Sequence, residues 1–120
     1  VLVIVLLVLV VMFVRNNREN FRSQAVVLHV FVVDWCPHCT RAKPEVAQLK
    51  SNLANNGNKV NNKNVRVNLV DAEENNDLAK QHNVSAYPTC LLELPSGETV
   101  PFNENVTANN LQEFLNNNVN

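Results

Sequence analysis

The sequence predicts an α/β domain in which a mixed four-stranded sheet is covered by helices on both faces. Three observations indicate this class. An apolar run at 25–33 leads directly into a C-x-x-C motif, helix-like and strand-like patterns alternate as far as residue 82, and a hairpin pattern follows. The predicted order is β-α-β-α-β-β-α over residues 25–120. Since alternation gives parallel strands and a hairpin gives antiparallel ones, the sheet should be mixed.

The first strand and helix flank the C-x-x-C motif. Residues 25–33, AVVLHVFVV, are nearly all apolar and rich in β-branched side chains, as expected of a central strand buried on both faces. Apolar residues then recur at spacings of four, three and four, which predicts a helix that begins near Cys36. These residues are Ala42, Val46, Leu49 and Leu53.

The middle of the chain contains a polar loop, a strand and a short helix. Residues 55–64 are predicted as the loop, 65–70 as a second strand with alternating apolar residues, and 75–82 as the short helix. The chain has 22 asparagines and only two glycines. Asparagine tolerates positive φ better than most residues, so we expect it at many turns.

The C-terminal part is predicted to form an antiparallel hairpin and a helix. Residues 89–94 and 98–102 flank a Pro-Ser-Gly turn, and Pro101 marks the second strand as an edge because proline cannot donate to a ladder. Thr107 can cap a last helix. The apolar side of that helix is formed by Leu111, Phe114 and Leu115.

The N-terminal segment has the composition of a membrane helix. Residues 1–14 contain no polar side chain, although fourteen residues fall short of the roughly 20 that a bilayer requires. We therefore predict part of a longer transmembrane helix, followed by a juxtamembrane linker at 15–24 with three arginines and one glutamate. The alternatives are a secretory signal, for which no A-x-A cleavage site follows, and a buried helix. The chain is thus expected to be a single-pass membrane protein.

The side of the membrane on which the domain lies stays open. The arginines of the linker favour the cytoplasmic side. Two glycosylation-type sequons, at Asn83 and Asn105, would have a role only in a lumenal domain, and chance sequons are expected in a chain so rich in asparagine.

Composition excludes several other classes of protein. The length suits one compact domain with one main site. The net charge of −1 offers no basic surface for nucleic acid. Three cysteines are too few for a secreted disulfide framework, so the C-x-x-C pair must be redox-active, metal-binding or simply buried.

The position of the C-x-x-C motif favours redox chemistry. A thiolate at residue 36 would be stabilised by the free N–H groups at the start of a helix, which should lower the pKa of Cys36. Cys39, one turn later, is suited to resolve a mixed disulfide. Pro37 fixes φ at the start of the helix, and His38 would place an imidazolium near the sulfur, which favours an oxidising pair.

A zinc site is the alternative for these cysteines. It requires four ligands, and the sequence offers only Cys36, Cys39 and either His38 or Cys90. We therefore predict no metal. Cys90 and His29 are interpreted as core residues, and His82 as a surface residue at a helix end. The acidic side chains at 71, 73, 74 and 77 are interpreted as a solvated edge.

The motifs together resemble the thioredoxin superfamily, especially its protein-disulfide-isomerase-like branch. The resemblance is carried by WCPHC at 35–39, by Pro44 and by Tyr-Pro-Thr at 87–89, and it covers residues 25–118. It implies the following roles: Cys36 as nucleophile, Cys39 as resolving thiol, Trp35 as a substrate-facing platform, and Pro88 as a cis proline that presents the Tyr87 backbone to an extended substrate.

Two features depart from this family. Where the family usually buries an Asp or Glu that shuttles the proton of the resolving thiol, this chain has Val30. His29 is a poor replacement, because neighbouring strand residues point to opposite faces. The short segment between the apolar run and the first strand leaves no room for the family's additional N-terminal strand and helix, so we expect a minimal thioredoxin-like fold.

The sequence therefore predicts a membrane-anchored thiol–disulfide oxidoreductase that needs no cofactor. Its expected partners are cysteine-containing proteins and, through residues 1–14, the membrane. The alternative is a structural or interaction component of a membrane-containing assembly, such as a virion, that uses the fold as a scaffold; Val30 favours it.

Overall fold

The computed structural model describes residues 1–23 and 25–119, without the side chains of residues 16–23. The described part contains four helices and five strands. The helices are α1 (Leu2–Ser23), α2 (Pro37–Asn55), α3 (Asn76–Gln81) and α4 (Ala108–Asn118). The strands are β1 (Val26–Val32), β2 (Lys59–Val60), β3 (Lys63–Asp71), β4 (Thr89–Glu93) and β5 (Thr99–Pro101).

The strands form one mixed sheet in the order β2-β3-β1-β4-β5. The central strand β1 is parallel to β3, from the pair Val26 and Val65 to the pair Val32 and Asp71. On its other side β1 is antiparallel to β4, and β4 is antiparallel to the edge strand β5. The predicted mixed sheet is confirmed, and Pro101 lies on an edge strand as expected.

The prediction of four strands is wrong, because part of the predicted loop at 55–64 is a fifth strand. Lys59 and Val60 pair with Asn64 and Lys63 across a two-residue turn. Its central residues, Asn61 and Asn62, have φ values of +52° and +66°, the backbone of a hairpin turn that matches strand twist. A strand of two residues is too short to show an alternation of apolar and polar residues, so no periodic pattern predicted it.

Asparagine occupies left-handed positions throughout the described chain, as its abundance predicts. The non-glycine residues with positive φ are Asn58, Asn61, Asn62 and Asn83. Their side chains are tolerated there at lower cost than those of most other residues.

The core lies on both faces of β1. Six of the seven residues of that strand are buried, which agrees with the prediction of a central strand. The predicted apolar stripe of α2 is buried from Ala42 to Leu53, and Leu111 and Leu115 of α4 are fully buried. The hydroxyl of Thr107 accepts the N–H of Asn110 at 3.1 Å and caps α4 as predicted.

Helix α1 contains the apolar segment and extends beyond it. Every side chain in 1–14 is exposed, from 43% at Val14 to 99% at Val1. Residues 15–23, predicted as a juxtamembrane linker, continue the same helix, and residue 24 lies outside the described residues. Among the described residues, no helix has both the length and the apolar composition required to cross a bilayer.

Candidate active site

Cys36 lies where the chain passes from the end of β1 into α2. Its backbone is extended (φ −96°, ψ 118°), and its side chain is the N-terminal cap of α2. The Cys36 sulfur accepts the backbone N–H of Cys39 at 3.3 Å and lies 3.5 Å from the carbonyl oxygen of Tyr87. The sulfur therefore occupies the place that an oxygen acceptor takes at an ordinary helix start.

The surroundings of Cys36 favour its thiolate. Its pKa is lowered chiefly by the Cys39 thiol, which donates a hydrogen bond to its sulfur. Burial opposes this effect, whereas the backbone N–H groups of Cys39 and His38 lower the pKa further. These N–H groups belong to the first turn of α2, which is the origin that the sequence predicts. The contribution of His38 comes from its backbone.

Cys39 has the opposite character. Its side chain is 0% exposed, and burial, together with its bond to Cys36, raises its pKa above the ordinary value of a cysteine thiol. Both sulfurs are present as free thiols. The pair thus combines Cys36, which is 6% exposed and ionises more readily, with the fully enclosed Cys39, which holds its proton.

Cys90 lies below this pair, in the core. It is 3% exposed and pairs with Val30 across β1 and β4. Burial, followed by the charge of Cys39, raises the pKa of Cys90 to about 12. The structure places it as the buried core residue that the sequence predicts, and its raised pKa keeps the thiol protonated.

Val30 is 0% exposed. The register places Leu28, Cys90 and Leu92 on the same face as Val30 and Glu93 on the other, so among the described residues of β1 and β4 no carboxylate lies on this face. The departure from the family pattern is therefore not compensated at this position.

The segment that contains Tyr87 and Pro88 lies against the redox pair. The Tyr87–Pro88 peptide bond is cis, as the resemblance implies. The ring of Trp35 meets the ring of Tyr87 edge to face, with centroids 6.4 Å apart. Trp35 is 70% exposed, so the buried Cys36 and the half-buried Tyr87 and Pro88 lie beside an accessible aromatic surface.

An open cleft adjoins the second half of the motif. It has a volume of about 460 Å³ and lies between the start of α2 and the segment that precedes α4. Its lining includes His38, Arg41, Pro88, Glu104, Asn105 and Val106. His38 and Pro88 thus border a space next to the thiols, whereas Pro37 forms the first turn of α2.

Glu73 is a site residue that the sequence analysis missed. It is exposed, as expected of the solvated edge, and it also accepts the indole N–H of Trp35 at 2.6 Å, a contact that was not predicted. Asp71 holds this loop by accepting the backbone N–H groups of Glu73 and Glu74. The signal was available in principle, because Asp71 ends a strand parallel to β1, and the carboxyl ends of neighbouring parallel strands lie together.

The two other histidines differ in how well they were predicted. His29 is a buried core residue as expected, 5% exposed and bonded to Glu93 and Asn68. His82 lies at the end of α3 as expected, but it is half-buried, and its ring centroid is 5.1 Å from that of His29. The prediction of a surface histidine is therefore wrong, because α3 packs its C-terminal end against the sheet.

Comparison with known proteins agrees with this geometry. Protein disulfide isomerase-like 1-4 of Arabidopsis thaliana is 33% identical over 88 residues, which are 73% of this chain and 13% of that protein. Protein disulfide-isomerase of Oryctolagus cuniculus is 35% identical over 74 residues, or 62% of this chain and 14% of that protein. The chain thus spans about a seventh of the length of these relatives.

A solved structure shows the same fold. The first thioredoxin domain of mouse protein disulfide-isomerase A4 superposes with a TM-score of 0.63 at 26% identity, over 84% of this chain and 71% of that one. The family model described as Thioredoxin matches residues 10–117. With its C-x-x-C pair at the start of α2 and its cis proline opposite, the chain belongs to the thioredoxin family.

Proposed function

We propose that this chain is a thiol–disulfide oxidoreductase that acts on the cysteines of other proteins. The observation that carries the proposal is the position of the Cys36 thiol and the direction in which its pKa is shifted. Its sulfur caps a helix, its pKa is lowered, and it lies beside the exposed surface formed by Trp35 and Tyr87. Membership of the thioredoxin family supports the same reaction class.

The exchange takes place in two displacement steps. In the first, the Cys36 thiolate attacks one sulfur of a substrate disulfide; a Cys36–substrate disulfide forms, and the other substrate sulfur leaves as a thiolate that takes a proton from water. In the second, Cys39 loses its proton and attacks the Cys36 sulfur, which releases the second substrate thiol. The substrate gains two electrons and the chain is oxidised to the Cys36–Cys39 disulfide. The reverse sequence oxidises a substrate dithiol, and neither direction requires a metal or diffusible cofactor.

The substrate is proposed to be an extended protein segment that contains a cysteine. The backbone of Tyr87, next to the cis bond, lies 3.5 Å from the attacking sulfur and can pair with an extended chain. Trp35 adds an exposed aromatic surface beside it. His38 and Pro88 border the adjoining cleft, where side chains next to the substrate cysteine would lie.

The Pro-His dipeptide supports a role nearer to oxidation than to strong reduction. A thiolate stabilised in the reduced protein is a good leaving group, so the disulfide form is a better oxidant. We expect the side chain of His38 to stabilise the Cys36 thiolate further, in addition to the backbone N–H of the same residue.

We also propose that α1 associates the chain with a membrane, so that the protein acts on substrates near a bilayer. Support comes from residues 1–14, which are apolar without exception and exposed. Other components of a membrane-associated assembly are possible partners on the same grounds.

A second candidate function is a scaffold within a membrane-containing assembly, such as a virion. The observation that favours it is Val30, which is fully buried where the family usually has a proton-shuttling carboxylate. Slow proton transfer from Cys39 would then be tolerated, because the protein would use its peptide-binding surface without turnover.

The two functions are separated by an activity assay on the full chain in detergent. Reduction of an insulin disulfide and oxidative refolding of a scrambled protein would be compared between the parent, Cys36→Ser and Cys90→Ser. The oxidoreductase is supported if the parent is active and Cys36→Ser lowers the rate at least a hundredfold. Cys90→Ser is the matched control and should retain the activity of the parent. No turnover by the parent in either assay would reject the enzyme and favour the scaffold.

A further inference from the structure

Three side chains with metal-ligating atoms lie close together on the sheet, away from Cys36 and Cys39. They come from separate elements: His29 from β1, Glu93 from the end of β4, and His82 from the end of α3. One ligand atom from each lies within 4.8 Å of the other two. Three elements distant in sequence thus contribute to one small volume.

This cluster lies on the opposite face of the sheet from the thiols. His29 is directly across from Leu91, two residues before Glu93, so the side chains of His29 and Glu93 point to the same face. The neighbouring pair, Val30 and Cys90, points to the other face, and the charge of Cys39 reaches Cys90 there. The sheet therefore separates the two sites.

The groups of the cluster are already oriented towards one another. Nε2 of His29 lies 2.8 Å from Oε2 of Glu93, and Nδ1 of His29 lies 3.3 Å from the amide nitrogen of Asn68. The ring of His82 packs against that of His29 with centroids 5.1 Å apart. Among the described residues, no side-chain hydrogen bond engages the His82 ring, so a nitrogen lone pair is available to an ion.

Two imidazoles and one carboxylate form a donor set that suits Zn²⁺. Three protein ligands would leave a fourth position for water. The amide of Asn68, whose Nδ2 faces Nδ1 of His29, would turn so that its Oδ1 accepts the Nδ1–H of the ligating ring, as second partners of ligating histidines commonly do. The side chain of Glu93 is 39% exposed, which gives an ion access from solvent. We propose that His29, His82 and Glu93 bind one zinc ion.

The distances are compatible with this ion after a small adjustment. Ligands about 2.0–2.1 Å from a tetrahedral zinc are roughly 3.3 Å apart. The 2.8 Å contact between His29 and Glu93 must open slightly, and the longest separation, at most 4.8 Å, must close by about 1.5 Å. His82 caps the end of a six-residue helix, where rotation of its side chain can supply that movement.

Zinc at this position would join α3 to the sheet. Because the ion would bind the folded chain and not an unfolded one, it should raise the temperature of unfolding as its concentration increases. The site does not depend on the proposed function, because it uses none of the residues of the exchange reaction.

The test measures zinc binding by the full chain in detergent. Cys36 and Cys39 would first be replaced by serine, because reduced thiols bind zinc themselves. Competition with a chromogenic chelator should then give one zinc per chain with a Kd in the micromolar range or below. His82→Ala and Glu93→Gln should each weaken binding at least tenfold, and bound Co²⁺ should give a spectrum without a sulfur-to-metal charge-transfer band.

His38→Ala in the same background is the matched control, because it removes a different, exposed histidine. The proposal predicts unchanged zinc affinity in this variant and a zinc-dependent rise in unfolding temperature that His82→Ala lacks. Absence of binding at 100 µM zinc, or equal affinity in the parent and in both ligand variants, would overturn it. Glu93→Gln, which conserves side-chain shape, keeps the test decisive if His82→Ala fails to fold.

Discussion

Cys36 and Cys39 are three residues apart, yet their environments shift their pKa values in opposite directions. Cys36 is stabilised as a thiolate by the Cys39 thiol and by N–H groups of the first turn of α2. Cys39 is enclosed by the core, and burial raises its pKa. This contrast supports the proposed division of roles, attack by Cys36 and resolution by Cys39, because the thiolate is the nucleophile and the protonated thiol reacts only after losing its proton.

Replacement of the resolving thiol should trap the intermediate. With Cys39→Ser, the Cys36–substrate disulfide cannot be displaced, so we expect covalent adducts to accumulate on incubation with a disulfide-containing protein. Non-reducing electrophoresis and mass spectrometry would locate the linkage. Cys36→Ser is the control and should give no adduct. Adducts formed mainly through Cys90 would contradict this division of roles.

The missing carboxylate at residue 30 leads to a second prediction. Val30→Asp should lower the free energy of unfolding by about 2–5 kcal/mol, because it buries a polar or charged group where the side chain is 0% exposed. It should also accelerate release of the mixed disulfide, since the carboxyl group can take the proton of Cys39. Urea unfolding and single-turnover kinetics would measure the two effects.

Val30→Asn is the matched control, because it has the same shape as the aspartate variant but accepts no proton from a thiol. If the aspartate and asparagine variants release substrate at the same rate, proton transfer does not limit the reaction of the parent.

Sequence patterns predicted the residues of the site that are adjacent along the chain. The motif at 35–39 and the Tyr-Pro-Thr motif at 87–89 carry their signal locally. Glu73 and His82 were misjudged because their contacts, with Trp35 and His29, join residues 38 and 53 positions apart. Such contacts depend on how strands and helices pack, which a single sequence pattern does not specify.

At the level of secondary structure, the hairpin of β2 and β3 is formed by the conformation of its turn residues, in a segment that has no hydrophobic pattern. The segment at 55–64 is polar and without alternation, so it resembled a loop. Two consecutive asparagines with positive φ nevertheless bring Lys59–Val60 back against β3. The Nδ2 group of Asn61 also donates to the carbonyl oxygens of Asn116 and Val119, which connects this turn to the end of α4.

The left-handed turn gives a prediction about stability. At Asn62, φ is +66°, where a Cβ atom is unfavourable unless the side chain is suited to it. Asn62→Ala should therefore lower the free energy of unfolding by about 1 kcal/mol, whereas Asn62→Gly should leave it equal or slightly higher. The free energy of unfolding would be measured with urea. If both variants lose the same amount, the positive φ does not explain the presence of asparagine at this position.

For the whole molecule, the fold class and the order of its elements followed from the sequence, because the longer elements of the domain each carry a clear sequence pattern. β1 has a continuous apolar run, α2 a helical stripe, and the hairpin of β4 and β5 a Pro-Ser-Gly turn. The number of strands did not follow, since β2 is only two residues long. Residues 1–14 are exposed and, from Leu2 onward, helical, and their role at a membrane stays a prediction.

Membrane association of the full chain is testable with lipid vesicles. We expect the parent to float with phosphatidylcholine vesicles through α1. Leu7→Glu should reduce partitioning about a hundredfold, because a charged side chain in the apolar phase costs about 2.5–3.5 kcal/mol. Asn109→Glu, on the exposed side of α4, adds the same charge as a control and should float normally. Equal flotation of all three proteins would exclude α1 as the membrane contact.

The central claim is that the Cys39 thiol and the N–H groups at the start of α2 lower the pKa of Cys36 and so favour its thiolate. The most direct test is the rate of Cys36 alkylation by iodoacetamide as a function of pH, in the full chain with Cys90→Ser and with the modified residue identified by mass spectrometry. The rate should rise with pH through a midpoint below about 8.5, the ordinary pKa of a free cysteine. A midpoint at or above that value would contradict the account.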